Sequence, residues 1–274
     1  MIEDFIARCR RGARATYLGE GRIACRALGR YDLVVDANDI GMTPNIVCDG
    51  FWEPSISVVF ERVLKPGMTA VDIGANVGYF SLLMASRVGP EGRVISVEAN
   101  PAMAALLRET IAMNDLGGAV TLHNLAAADG PGELDFYVIP DRNLNSCILL
   151  DEWKERVDPE RLSRIRAEAP DDILANAGPV DFIKIDVEGA EHLVWKGLRC
   201  TLEKNPDIVV VLEFNAARHS EAGALAATIE AAGFPLRHID DDGTIRGVRK
   251  EALLDTGSIA DWMLFLKRGE IGQP

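Results

Sequence analysis

The fold of this chain is decided by the segment Val71-Asp72-Ile73-Gly74-Ala75-Asn76-Val77-Gly78. The β-branched residues that lead into it predict a strand over residues 69–73, and the apolar spacing after it predicts a helix over residues 79–87. Its glycines permit a tight turn and let a ligand approach the backbone, where a Cβ atom would collide. The segment therefore predicts a strand-to-helix unit with a nucleotide-binding turn.

The same alternation of short β-branched runs and helical patterns continues to the end of the chain. It predicts strands over residues 69–73, 93–98, 120–126, 182–187, 208–214, 236–240 and 261–267. Further helices are predicted from Pro101, over residues 189–202 and over residues 220–232. This order is typical of an α/β domain with a mostly parallel sheet, which we assign to residues 65–274.

One long insertion interrupts the pattern before Pro179. An extra strand is predicted over residues 134–139, and Asp158-Pro159 is expected to open a charged helix. Insertions at strand ends usually shape a substrate site, although a plain surface excursion is the alternative.

Residues 1–64 predict an N-terminal cap built from a helix and a β-hairpin, with the hairpin strands at residues 23–28 and 31–35. Seven arginines and three acidic residues among residues 1–31 give this segment a charge of +4, against −17 for the rest. We expect the cap to close over the site, with its arginine-rich helix at the entrance. A solvated arginine face and a helix lying on an anionic membrane are the alternatives.

Composition limits the classes of partner. The net charge of −13 over 274 residues disfavours nucleic acid, and no apolar run is long enough for a transmembrane helix. The five cysteines include no C-x-x-C pair, and the N-terminus lacks a signal-peptide pattern, so we expect a cytoplasmic protein without a disulfide framework. Assembly into a homo-oligomer is left open.

Two acidic residues indicate which nucleotide is bound. Asp72 stands at the mouth of the glycine turn, where it would repel a pyrophosphate but could hold a cationic amino group. Glu98 follows 26 residues later at the end of the second strand, where it can accept both ribose hydroxyls. S-adenosylmethionine carries cationic groups and no phosphate, so it fits better than NAD(P). We expect cofactor contacts from Asp72, Gly74, Asn76, Gly78 and Glu98.

Further polar residues meet at the same edge of the predicted sheet. Asp186 ends an apolar strand, and the next strand delivers Glu213, Asn215 and then His219. The carboxylates could bind acceptor hydroxyls directly or hold Mg²⁺, which would lower the hydroxyl pKa. We therefore predict catalytic roles for Asp186, Glu213 and His219, and acceptor contacts for Asn215, Trp52 and Glu53.

Several motifs together resemble the FkbM-type family of class I S-adenosylmethionine-dependent methyltransferases. They are Trp52-Glu53-Pro54, Leu64-Lys65-Pro66-Gly67-Met68, VDIGANVGYFS from residue 71, Glu98 and FIKIDVEGAE from residue 182. The resemblance covers residues 50–215 and implies a Rossmann-like α/β fold whose seven-stranded sheet is mostly parallel with an antiparallel last strand. It also implies methylation of a hydroxyl on a sugar, polyketide or similar small molecule. In this chain Ala99-Asn100 separates Glu98 from a proline that more often follows directly.

The sequence disfavours three alternative functions. An NAD(P)-dependent oxidoreductase is disfavoured by the D-x-G-x-x-x-G spacing and by Asp72. A nucleic-acid methyltransferase would want an N/D-P-P-Y/F segment where this chain has Asp186-Val187-Glu188. A catalytically silent binding module with the same fold has no reason to bury Asp186 beside a cofactor.

Overall fold

The N-terminal part of the chain forms a small antiparallel sheet with three helices around it. The computed structural model describes residues 1–139, 141, 146–150, 153–154, 157–218, 221–257 and 261–270. The first elements are α1 (Ile2–Gly12), β1 (Ala15–Gly19), β2 (Arg22–Ala27), β3 (Tyr31–Asp36), α2 (Thr43–Asp49) and α3 (Pro54–Val63). The predicted hairpin corresponds to β2 and β3, and β1 adds a third strand along β2. We keep the name cap for residues 1–64.

The remaining elements alternate as the sequence predicts. The strands are β4 (Thr69–Ile73), β5 (Arg93–Glu98), β6 (Val120–Asn124), β7 (Ala126–Ala127), β8 (Gly132–Tyr137), β9 (Cys147–Ile148), β10 (Leu162–Glu168), β11 (Phe182–Ile185), β12 (Val209–Phe214), β13 (Arg237–Ile239), β14 (Ile245–Gly247) and β15 (Trp262–Leu266). The helices are α4 (Tyr79–Val88), α5 (Pro101–Met113), α6 (Pro170–Ile173), α7 (Glu191–Gly197), α8 (Arg199–Lys204), α9 (Ala222–Ala231) and α10 (Lys250–Leu253).

The main sheet has the strand order β14-β13-β15-β12-β11-β4-β5-β6. Five neighbouring strands of this sheet are parallel, namely β6, β5, β4, β11 and β12. By contrast, β15 runs antiparallel to both β12 and β13. The predicted Rossmann-like α/β fold is confirmed, with its seven strands and its antiparallel last strand. The short strand β14 is an eighth, paired with β13 at the edge.

Alternate residues of each central strand face two cores on opposite sides of the sheet. Along β12, Val209 and Val211 face one core, and Val210 and Leu212 face the other. The first core continues into the cap, where Phe5 and other buried apolar side chains join it. The cap therefore packs on one face of the sheet through a shared core, and the boundary after residue 64 stays a prediction.

Two arginines of α1 form ion pairs within the cap. Arg8 pairs with Glu61 of α3 at 2.5 Å, and Arg10 pairs with Asp49 of α2 at 2.8 Å. These two charges are balanced by acids of the cap itself, and the arginine-rich entrance stays a prediction. Among the described helices, none is both long enough and apolar enough to cross a bilayer.

The long insertion forms a second sheet in the order β7-β10-β8-β9. The charged helix expected after Asp158 is wrong. Only a 3₁₀ turn (Pro159–Arg161) forms, and the chain then enters β10, which pairs with β8. Pairing with β8 explains why a strand forms here instead of a helix. Burial alternates along β10, because Ile165 and Ala167 are buried while Arg164 and Arg166 are exposed, so one face of the strand is covered.

The turn after β4 passes unusually close to the end of β11. Gly74 has φ +80°, and a Cβ atom built on it would overlap the carbonyl oxygen of Asp186. Both requirements, the left-handed conformation and the close approach, exclude any larger residue. This contact brings the glycine turn and the acidic segment of β11 to one edge of the sheet.

We expect Gly74→Ala to destabilise the fold more than Gly67→Ala, as measured by urea unfolding. Gly67 has φ +85° but no atom within 4 Å of its built Cβ, so it isolates the cost of the left-handed conformation, about 1–2 kcal/mol. Gly74→Ala carries that cost and must also separate β4 from β11. Equal losses for the two variants would show that the close approach has no energetic consequence.

Candidate active site

A cleft opens at the carboxyl ends of β4, β5 and β11. Its walls include Gly74, Ala75, Asn76, Glu98, Ala99, Asn100, Lys184, Asp186 and Glu188. The cap contributes Met42 and Trp52, and the insertion contributes Phe136 and Ile148. Ligands of open α/β sheets bind at this edge.

Glu98 is fixed in the cleft by two backbone amides. Its Oε2 accepts a hydrogen bond from the N–H of Asn76 at 2.7 Å, and its Oε1 accepts one from the N–H of Asn100 at 2.7 Å. Burial raises the pKa of Glu98 to about 7, while these two amides oppose the rise. Because each carboxylate oxygen has a further lone pair, Glu98 can still accept hydrogen bonds from ligand hydroxyls.

Asn100 places a hydrogen-bond donor beside that acceptor. Its Oδ1 accepts from the N–H of Ala102 at 3.0 Å, which caps α5. Its Nδ2 is buried, and no partner for it is found in the part of the chain that the structure describes. The sequence indicated only that Asn100 caps the helix. In the structure the same hydrogen bond orients the amide, so that Nδ2 is left to donate to a ligand.

Three of the six described non-glycine residues with positive φ lie in or next to the wall of the cleft. Non-glycine residues with positive φ include Glu53 (40°), Asn76 (50°) and Glu188 (58°). Asn76 and Glu188 line the cleft, and Glu53 directly follows the lining residue Trp52. Such conformations cost of the order of 1–3 kcal/mol each and cluster at functional sites.

Asp72 lies beneath the cleft rather than in its wall. Its side chain is fully buried, its Oδ2 accepts a hydrogen bond from Ser81 Oγ at 2.6 Å, and its Oδ1 lies 3.8 Å from Lys184 Nζ. Lys184 also lies 3.0 Å from Asp186 Oδ2. Asp72 is therefore linked to the lining residue Asp186 through Lys184, and its direct contact with a cofactor stays a prediction.

Lys184 is the residue of the cleft that sequence reasoning missed. Burial alone would lower its pKa, but Asp186 and Asp72 raise it above the ordinary value. The available signal was a single charged residue inside the apolar strand Phe182-Ile183-Lys184-Ile185, next to an acid. A lysine buried at such a position needs a carboxylate partner.

Glu188, in the wall of the cleft, and Glu213, behind it, share one guanidinium. Carboxylate oxygens of Asp186, Glu188 and Glu213 lie within 4.8 Å of one another, an arrangement that could hold a metal ion. However, Nη1 of Arg218 lies 2.7 Å from oxygens of both Glu188 and Glu213, and its Nη2 lies 3.0 Å from Asp261 Oδ1. The pKa of Glu188 is raised to about 8, mainly by burial and next by Asp186, while Arg218 opposes the rise.

The structure brings the predicted site residues to one region, although not all of them line the cleft. Trp52, Gly74, Asn76, Glu98 and Asp186 are lining residues. Asn215 lies behind the wall with Glu213, and its Nδ2 donates to Asp261 Oδ1 at 2.6 Å. Gly78 supports the turn from outside, because a Cβ there would overlap Leu107. His219 lies outside the described residues. Arg218 and Asp261 were not predicted.

Comparison with known proteins identifies relatives over most of the sheet. Residues 72–236, more than half of the chain, match the family model of the methyltransferase FkbM domain. Methyltransferase sdnD of Sordaria araneosa is 29% identical over 154 residues, which are 47% of this chain and 59% of that protein. Methyltransferase 1 of Beauveria bassiana is 31% identical over 149 residues, 47% of this chain and 57% of that protein. The chain thus spans somewhat more than half the length of these two relatives.

Among solved structures, M. jannaschii TYW2 in complex with AdoMet has a TM-score of 0.45 at 16% identity, covering 92% of this chain and 89% of that chain. The family match begins at Asp72, takes in the glycine turn and the acidic segment after β11, and ends at Leu236 just before β13. It agrees with the resemblance carried by the motifs, and the chain belongs to the family of FkbM methyltransferase domains.

Proposed function

We propose that this chain transfers the methyl group of S-adenosylmethionine to a hydroxyl of a small molecule such as a sugar or a polyketide. The observation that carries the proposal is the carboxylate of Glu98, held in the cleft by two backbone amides beside the glycine turn. An acceptor at this position suits the two hydroxyls of a ribose. Membership of the FkbM family supports the same reading.

The electrostatics of the cleft favour this cofactor over a dinucleotide. Lys184 is the one cation among the described lining residues, and its ammonium group faces Asp72 and Asp186. A pyrophosphate would therefore find carboxylates and no available positive charge, whereas a cationic ligand is attracted. This argues against the NAD(P)-dependent alternative.

The residues present fit S-adenosylmethionine. Glu98 would accept from the ribose hydroxyls, the buried Nδ2 of Asn100 would donate to the nucleoside, and Leu125 and Ala126 offer apolar wall. Gly74 and Asn76 would approach it with backbone. When bound, this cofactor supplies a methyl group activated by a sulfonium.

The acceptor would bind on the side of the cleft where Trp52, Asp186 and Glu188 meet. Asp186 is positioned by Lys184, and Glu188 by Arg218, so both carboxylates are held in place before a substrate arrives. Much of the rate of a group transfer comes from such positioning. Their part here is to bind and orient the acceptor hydroxyl.

Glu98→Gln should weaken S-adenosylmethionine binding by about 1–3 kcal/mol, because the carboxylate loses acceptor strength toward two hydroxyls. Isothermal calorimetry measures the change, with NADH as the competing ligand. Glu109→Gln is the matched control, since Glu109 pairs with Arg22 at 2.5 Å and is not a lining residue. Binding of NADH but not of S-adenosylmethionine to the unmodified chain would refute the proposed cofactor.

The magnesium hypothesis stays a prediction, and Arg218 makes it testable. Because the guanidinium already compensates Glu188 and Glu213, we expect weak Mg²⁺ binding by the unmodified chain and tighter binding by Arg218→Ala, measured by calorimetry. Arg246→Ala, which removes pairs with Asp240 and Asp242, controls for the loss of one charge. Tight Mg²⁺ binding by the unmodified chain would instead show that a metal ion and Arg218 share the cluster.

A further inference from the structure

Glu53 is held at the start of α3 in a conformation that its own backbone disfavours. It precedes Pro54 and has φ 40°, in the left-handed region. The N–H of Ser57 donates to the carbonyl of Glu53 at 2.9 Å, and Ser57 Oγ donates to the carbonyl of Trp52 at 2.8 Å. Ser57 Oγ also lies 3.0 Å from Tyr79 Oη, and both of these side chains are buried. Strain of this kind persists only where the surroundings fix it.

These contacts tie the Glu53 segment to the wall of the cleft. Trp52 and Tyr79 both line the cleft, and Ser57 bridges them from behind. The charges that act on the Glu53 carboxylate are those of Asp186, Lys184 and Asp261. Two of these three groups line the cleft, and so does Trp52, which directly precedes Glu53, so Glu53 stands next to the wall on the side that the acceptor would occupy.

Among the described acids around the site, Glu53 has neither an ion-pair partner nor a hydrogen bond to its carboxylate that holds it in place. Its Oε2 is buried and has no hydrogen-bond partner within the described residues. Asp186 faces the ammonium of Lys184, and Glu188 and Glu213 face Arg218. Glu98 accepts from two backbone amides. An acid that is desolvated and unpaired keeps its lone pairs for a proton.

We propose that Glu53 is the general base that takes the proton from the acceptor hydroxyl, an inference that rests on the proposed function. As the hydroxyl oxygen forms its bond to the methyl carbon, the bond from that carbon to sulfur breaks and its electron pair stays on sulfur, giving a neutral thioether. The hydroxyl proton moves to the Glu53 carboxylate. Charge and atoms balance without a metal ion or another reactant.

The acidity of Glu53 suits this step. Burial raises its pKa to about 7, Asp186 raises it, Lys184 lowers it, and Asp261 raises it again. The Glu53 carboxylate in turn adds slightly to the rise in the pKa of the buried Tyr79 hydroxyl, which burial raises above the ordinary tyrosine value. Catalytic bases work best when their pKa lies close to the operating pH. Because the base must be deprotonated, the rate should rise as pH increases through about 7.

The test uses the full chain with labelled S-adenosylmethionine and a panel of hydroxyl compounds comprising hexoses, phenols and trifluoroethanol. Glu53→Gln should lower kcat/KM by about 10²–10⁴-fold and abolish its rise through neutral pH, while calorimetry shows unchanged cofactor affinity. Glu53→Asp, which keeps a carboxylate, should recover part of the rate and the pH dependence. Glu61→Gln is the matched control on the same helix, because Glu61 pairs with Arg8 away from the cleft and should match the unmodified chain.

The outcomes separate the two proposals. Unchanged kcat/KM and an unchanged pH profile in Glu53→Gln would overturn the role of Glu53 while leaving the proposed function intact. A parallel loss of cofactor affinity would make Glu53 a binding residue, which also overturns it as the base. An unmodified chain that binds no S-adenosylmethionine, or that binds it and methylates no hydroxyl in the panel, would refute the proposed function itself.

Discussion

One buried lysine organises the edge of the sheet where the cleft forms. Lys184 of β11 stands directly beside Asp72 of β4 in the strand register, and its side chain is only 2% exposed. The ammonium group lies between Asp72 and Asp186, and it also approaches the carbonyl of Gly74 at 3.5 Å. Removing one partner of such a buried arrangement typically costs about 3–5 kcal/mol, because the remaining charge is left uncompensated. The glycine turn and the acidic segment therefore depend on the same cation.

Arg218 is a second cation near the cleft, and it separates acids that have a cationic partner from acids that do not. Arg218 joins Glu188 after β11, Glu213 on β12 and Asp261 before β15. Lys184 and Arg218 together compensate the carboxylates that form the floor and back of the cleft. The acids that remain, Glu98 and Glu53, have pKa values raised to about 7, with burial as the largest cause for each. Hydrogen bonds to backbone amides then distinguish Glu98, which has them, from Glu53, which does not.

The order of the main strands and helices could be predicted because short runs rich in β-branched and apolar residues alternate with helical patterns along the chain. The features that were not predicted have a common cause, because each of them depends on partners from other segments of the chain. The strand β10 is polar along one face and forms because β8 is there to pair with it. The position of Asp72 opposite Lys184 depends on the register between two parallel strands, which no local pattern encodes. Arg218 follows the same logic, because its three acidic partners come from three separate segments.

The division of the molecule between cap and sheet has a consequence for how acceptors are chosen. The proposed cofactor contacts belong to the sheet and its turns, whereas Trp52 and Glu53 belong to the cap. The ion pairs of α1 lie at the surface, where such pairs contribute about 0–1 kcal/mol each, so they hold the cap only weakly. Burial of Phe5 and Cys9 in the core shared with the sheet is the larger contribution, since a buried large apolar side chain stabilises by about 1.5–3 kcal/mol. Because the cap is anchored in this way and places Trp52 in the wall of the cleft, we expect under the proposed function that substitutions on its inner surface change acceptor binding while the proposed cofactor contacts on the sheet stay intact.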